Sequence, residues 1–298
     1  MSTAAKKDSR GVRRRLPIGP LLWIRTSTWG RRVLVIMCLL VAGVAAAVAV
    51  WRRVRAHVAA QPEYLVSVDD VEITPVPPWI HTDIKAEVIH EAGLNKNLSI
   101  LDEHVPELLS EAFGLDPWVE RVSGVHTSYP AHIRIDLVYR QPVAMVEVPG
   151  GLLPVDAQGV LLPTAGFSAT EAQNYPRIVG ISTSPRGLIG TPWGDASVEQ
   201  GAKLTALLTD AWPTLGLHHI QSERAADSNS PEGAGLQIVT RQGTVFVWGA
   251  APGEEASDES KAAEKLARLL KLASDYKTLD TAPANQRDLR HVVDSPAR

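Results

Sequence analysis

Hydrophobic positions fall into one long unbroken run and then into a series of short periodic ones. The run is "VLVIMCLLVAGVAAAVAVW", Val33 to Trp51, nineteen residues without a charge. It is close to the roughly 20 residues a helix needs to cross a bilayer core. After it the period keeps changing. "LVSVDDVEITPV", residues 65–76, alternates and predicts a strand that Pro77 and Pro78 end. In residues 79–93, Ile80, Ile84 and Val88 share a helical face, with Gly93 as a C-cap. In residues 98–114, Leu101, Val105, Leu108, Leu109 and Ala112 trace the stripe of a half-buried helix, which must begin near residues 102–104 because of Pro106. A strand follows around residues 121–129. Then "HIRIDLVY" alternates: Ile133, Ile135, Leu137 and Tyr139 face one way, Arg134, Asp136, Val138 and Arg140 the other. Residues 65–142 thus read β-α-α-β-β, a small sheet with two helices on one face.

From Val143 the pattern is strand after strand. "VAMVEV" runs to Gly150-Gly151, and "LLPVDAQGVLLP" is two apolar runs about an Asp-Ala-Gln-Gly turn. "LQIVTRQGTVFVWG" predicts a hairpin about Arg241-Gln242-Gly243. Two helices interrupt the strands. One has Leu204, Leu207, Leu208 and Ala211 on its stripe. The other has Leu266, Leu269, Leu270, Ala273 and Tyr276, supported by an i,i+4 pair of Glu264 and Arg268. "NQRDLRHVVD" predicts a last strand. Residues 225–234 and 253–259 read as loops.

Charge separates the two ends of this pattern. Of 30 Lys/Arg and 33 Asp/Glu, nine basic residues and one acid (Asp8) lie in residues 1–51, so the remainder holds 21 against 32, a net of −11. The basic excess before the apolar run places the N-terminus in the cytoplasm and the rest outside. The run and its preceding segment are too long for a cleaved signal peptide, which predicts an uncleaved anchor. The acidic outer part lacks the basic footprint that nucleic acid requires. Cys38, within the run, is the only cysteine, so the outer part relies on its core and not on disulfides. The expected domains are a basic cytoplasmic tail (1–32), a transmembrane helix (33–51), a stalk (52–64), the β-α-α-β-β domain (65–142) and a strand-rich domain (143–298).

No constellation for catalysis or metal binding emerges. "HEAGL" begins like a zincin motif, but Leu94 stands where the second histidine belongs, and His90 reads as a helix-surface residue. His218 and His219 are adjacent, so on a regular strand they would point to opposite faces and would not share a metal. There is no G-x-S-x-G elbow and no phosphate-binding loop. Asp69-Asp70 reads as a solvated turn, and Trp79, Trp118, Trp193, Trp212 and Trp248 as core or interface packing.

The chain resembles the FtsQ/DivIB family of bacterial cell-division proteins. The resemblance is carried by Pro117-Trp118-Val119, Tyr129-Pro130 and Pro142-Val143-Ala144, then Val155, Asp156, Gly159 and Val160, and finally Asp288-Leu289-Arg290, in order along nearly the whole chain. It implies an α+β fold class: one N-terminal transmembrane helix, a β-α-α-β-β POTRA domain, and a mostly antiparallel β-domain with a penultimate helix and a C-terminal strand. Arg140, Gln141 and Pro142 would be the domain junction, since Pro142 removes a ladder donor and keeps the chain extended. It further implies a non-enzymatic, single-pass scaffold at the division site, in contact with FtsB/FtsL-like proteins and an FtsW/FtsI-like septal synthase. No cofactor and no small-molecule substrate are expected. Contact by strand addition is expected at Asp288, Leu289, Arg290, His291, Val292 and Val293, with Leu289, His291 and Val293 facing one way and Arg290 and Val292 the other. The alternative is a POTRA-bearing component of a transport or envelope-assembly system, against which stands the lack of following barrel strands.

Overall fold

The computed structural model describes residues 28–59, 61–94, 97–222 and 235–291, as two units divided after Gln61. In the first, α1 (Thr28–Ala59) is a single helix of 32 residues. It is long and apolar enough to cross a membrane, with a mean hydropathy of 3.0 over its best window. Its side chains are exposed from Arg31 to Arg55. The helix overruns the apolar stretch at both ends. Residues 52–59, expected to belong to an irregular stalk, remain helical because "RRVRAHVA" contains no helix breaker before Pro62.

The second unit is mixed α+β with mostly antiparallel sheets. Its first part contains β1 (Leu65–Val66), β2 (Glu72–Ile73), α2 (Ile84–Glu91), β3 (Leu98–Ser99), α3 (Val105–Gly114), β4 (Val119–Ser128) and β5 (His132–Tyr139). The single strand expected over 65–76 is two short pieces. A 3-10 turn at Val68–Asp70 separates them, burying Val68 and Val71 while Asp69 and Asp70 face solvent. β1 pairs antiparallel with β3, and β2 pairs parallel with β5. β4 pairs antiparallel with β5, giving the sheet order β2-β5-β4.

Both helices begin later than their apolar periods suggest. α2 starts after Asp83, whose carboxylate accepts from the Ala86 N–H at 3.1 Å. α3 buries Val105, Leu109 and Phe113, while Leu101 and Leu108 are exposed. The buried stripe is therefore rotated from the predicted one, because Phe113 is the larger apolar group. Ile84 and Val88 of α2 and these α3 residues form one core with Ile133, Ile135 and Leu137 of β5. The alternation read in β5 holds from Ile133 to Leu137, after which Val138 and Tyr139 are both partly buried.

The second part holds β6 (Ala144–Val148), β7 (Gly151–Val155), α4 (Ala169–Asn174), β8 (Arg177–Val179), α5 (Ala196–Leu208), α6 (Trp212–Leu215), β9 (Leu217–Ser222), β10 (Leu236–Thr240), β11 (Val245–Gly249) and α7 (Ala262–Tyr276). The six strands form one sheet in the order β11-β10-β9-β8-β6-β7, antiparallel except where β8 pairs with β6 and β9. α5 buries Leu204 and Leu208, and α7 buries Leu269 and Leu272, in a core with Ile220, Ile238, Phe246 and Trp248. The predicted α7 stripe is shifted: Leu270 is exposed, and Lys265 is fully buried instead. Its ammonium lies 2.5 Å from Glu259 Oε1 and 5.2 Å from the Trp248 ring centroid, which resolves an otherwise costly buried charge. α4 was not anticipated, although Ser168 and Glu171 form a capping box that marks its start in the sequence. Trp118, Trp193, Trp212 and Trp248 are buried, and Trp79 is partly buried.

Candidate partner-binding rims and the domain junction

Arg140, Gln141 and Pro142 lie between β5 and β6, where the chain passes from the three-stranded to the six-stranded sheet. Arg140 is held at three points, while its Nε is buried without a hydrogen-bond partner among the described residues. Its N–H donates to Trp118 O at 2.8 Å, its carbonyl accepts from Trp79 Nε1 at 3.1 Å, and its guanidinium reaches Asp156 Oδ2 at 2.6 Å. Asp156 is buried, and its Oδ1 accepts from the N–H groups of Gln158 and Val160, both at 2.9 Å. The turn it holds ends at Gly159, at φ +74, where a Cβ would lie 3.0 Å from the Glu199 backbone. One carboxylate therefore organises the Asp-Ala-Gln-Gly turn and anchors the junction. Across the same boundary Leu162 enters the first core, and Phe167 lies against Trp118 with centroids 6.2 Å apart.

The C-terminal segment lies along the outer side of β11. Asp288 bridges Val247 in parallel. Val247 N–H donates to Arg287 O and Leu289 N–H to Val247 O, both at 2.9 Å. The strand predicted over 285–294 is not a strand among the described residues: Ala284–Gln286 is a 3-10 turn, and only Asp288 forms a single bridge. Leu289 is fully buried in the second core, Arg290 is half-buried, and His291 is exposed. Leu289 and His291 therefore do not share an environment. Val292 and Val293 lie outside the described residues.

The main chain here is already engaged. Arg268 of α7 donates to the carbonyls of Leu289 (3.0 Å) and His291 (2.8 Å) and to Ser260 Oγ, rather than pairing with Glu264 as its spacing suggested. Ser260 N–H donates to Arg290 O at 2.8 Å. Arg290 N–H donates to Asp288 Oδ1 at 3.0 Å, and its guanidinium meets Asp288 Oδ2 at 2.7 Å. That pairing with Arg290 holds the Asp288 carboxyl below the usual carboxylate range. At the other end of the sheet, β7 is covered by Leu161 and Leu162, the latter donating to Pro154 O at 2.9 Å.

β4 differs. It has ten residues, pairs with β5 on one side, and pairs with no strand on the other among the described residues. Two bulges, at Glu120 and Ser123, interrupt it, leaving Gly124–Ser128 as the regular stretch. Sequence reading found this strand but not its place at the rim, since strand order is a long-range property that alternation does not carry. At its foot, Asp116 is buried and accepts from the Trp118 N–H at 2.8 Å. Burial raises its pKa to about 6, and Glu87 and Glu91 add to the rise.

His90 is exposed on α2, and Asp69 and Asp70 are exposed on their turn. Among the described residues no group of three or more His, Cys, Asp or Glu is placed to hold a metal ion. His218 and His219 depart from expectation: they do not diverge, and their Nδ1 atoms lie 2.8 Å apart. No protein-family model matches the chain, and no curated protein matches it.

Proposed function

We propose that this chain is a non-enzymatic, single-pass membrane scaffold of the FtsQ/DivIB type, acting in bacterial cell division. In this reading residues 1–32 face the cytoplasm, α1 spans the inner membrane, and residues from 62 onward lie outside it at the division site. The two-helix, three-stranded part is a POTRA domain and the six-stranded part an FtsQ-type β-domain. The partners are FtsB/FtsL-like proteins and an FtsW/FtsI-like septal synthase, held by main-chain hydrogen bonds along a sheet rim and selected by alternate side chains.

The observation that carries the reading is the succession itself. One apolar helix is followed by two helices packed on the sheet β2-β5-β4, and a four-residue passage at Arg140 leads into a second sheet. The candidate rims for strand addition are the C-terminal segment on β11 and the long strand β4. The test is localisation of a fluorescent fusion in dividing cells. A band at mid-cell is expected; a uniform envelope signal overturns the proposal.

A further inference from the structure

A regular strand would send His218 and His219 to opposite faces of the sheet, but β9 is not regular there. Val239 of β10 pairs with His219 while Thr240 pairs with Leu217, so His218 is the extra residue of a bulge. The bulge turns both rings together. They meet edge to face with centroids 5.1 Å apart and planes at 79°. The two Nδ1 atoms approach to 2.8 Å, with His218 exposed and His219 half-buried.

We propose that this bulge is a two-imidazole chelate for a divalent transition ion of the Cu2+ or Ni2+ kind. Two nitrogens each about 2.0 Å from an ion and at a right angle to one another stand about 2.8 Å apart, whereas a tetrahedral site spreads them to about 3.3 Å. The observed spacing thus fits adjacent corners of a square-planar or octahedral site, the remaining positions being taken by water. Imidazole nitrogen suits these ions, and Cu2+ heads the affinity order.

Without metal, one of the two facing Nδ1 atoms carries a proton and donates to the other. When the ion binds, that proton moves to the Nε2 of the same ring, and the protein loses no proton. The nearby charges oppose each other, with Arg177 facing His219 across the β8 pairing and lying 3.8 Å from Glu147.

This inference rests on β9 and its neighbours alone and is independent of any role in division. The experiment titrates Cu2+ into the full chain in detergent micelles, followed by calorimetry and electron paramagnetic resonance. One equivalent is expected to bind with hyperfine structure from two imidazole nitrogens. His218→Ala and His219→Ala should each weaken binding about tenfold or more and leave one nitrogen, and His90→Ala should change nothing. The metal-free unfolding midpoint checks that each variant is folded. The proposal is overturned if Cu2+ does not bind, if the spectrum shows fewer than two nitrogens, or if the His218 and His219 variants bind as tightly as the parent chain.

Discussion

Two rims of the second unit are built on opposite plans. The C-terminal segment on β11 is short and latched: Leu289 sits in the core, Arg268 holds two of its carbonyls, Ser260 a third, and Asp288 closes on Arg290. β4 is long and unlatched, and two bulges shorten its regular part to Gly124–Ser128. An incoming strand needs free N–H and C=O groups in register. The latched rim offers few unless its side-chain caps let go, so docking there requires a local opening before pairing. The open rim offers them at once, but over a short run. Bulges on an exposed edge are also how sheets discourage indiscriminate pairing. Order and availability are thus traded between the two rims, and the trade can be measured.

The largest effect is expected at the latched rim. Leu289→Ala removes a fully buried side chain from the second core and should cost about 2–4 kcal/mol, read by chemical denaturation. The β4 half should keep its hydrogen-exchange protection at matched stability; if β4 amides lose protection first, the two rims are not separate in the way described. The junction comes next. Arg140→Ala leaves the buried Asp156 carboxylate without its cation and should cost about 2–3 kcal/mol. Asp156 keeps two backbone donors, so the loss should fall short of a fully orphaned charge, and Arg140→Ala with Asp156→Asn should recover part of it in a double-mutant cycle.

Local features of this chain were legible in its sequence, and arrangement was not. The alternation of Ile133, Ile135 and Leu137 named a buried strand face because a period of two is a property of neighbouring residues. The Asp-Ala-Gln-Gly turn was readable for the same reason, since Asp156 caps groups two and four residues on. The helix stripes at α3 and α7 were placed in the right segments but with the wrong phase. Phe113 and Lys265 take core positions because of what faces them, Ile133 and its neighbours in one case and Glu259 with Trp248 in the other. The rim status of β4, the latch from Arg268 and the meeting of His218 with His219 all depend on strand order or on a bulge. No short window of sequence records either.

The pH dependence separates the rims by sign. The folded-state pKa of Asp116, about 6, lies above its ordinary value of 3.8, so the folded chain holds this proton more tightly than the unfolded one. Its contribution is greatest at pH 4 and below and is lost as pH rises through about 6, a change of about 1–2 kcal/mol. Asp116→Asn keeps an acceptor for the Trp118 N–H and should flatten the stability profile between pH 4 and 7. Asp288 behaves oppositely. Its depressed pKa contributes stability above the ordinary carboxylate value, and that stability is lost as pH falls through the folded-state value. Acid should therefore tighten the foot of β4 while loosening the C-terminal latch, which amide exchange at the two rims would resolve.

The smallest stability change carries the sharpest comparison. The side chains of Arg290 and Asp288 keep 43% and 39% of their surface in solvent, so Arg290→Gln should cost under about 1 kcal/mol. Its effect on partner binding need not be small. If a partner strand adds to the C-terminal rim, it must displace the Asp288–Arg290 closure, and weakening that closure should strengthen binding of FtsB/FtsL-like partners to the purified chain severalfold. Ser123→Pro makes the complementary change at a bulge residue outside the β5 pairing, where proline is tolerated, and should weaken binding about tenfold if β4 is the acceptor. Tighter binding in the first variant with no change in the second assigns docking to the latched rim, and the reverse assigns it to β4. No change in either removes strand addition as the mode of contact.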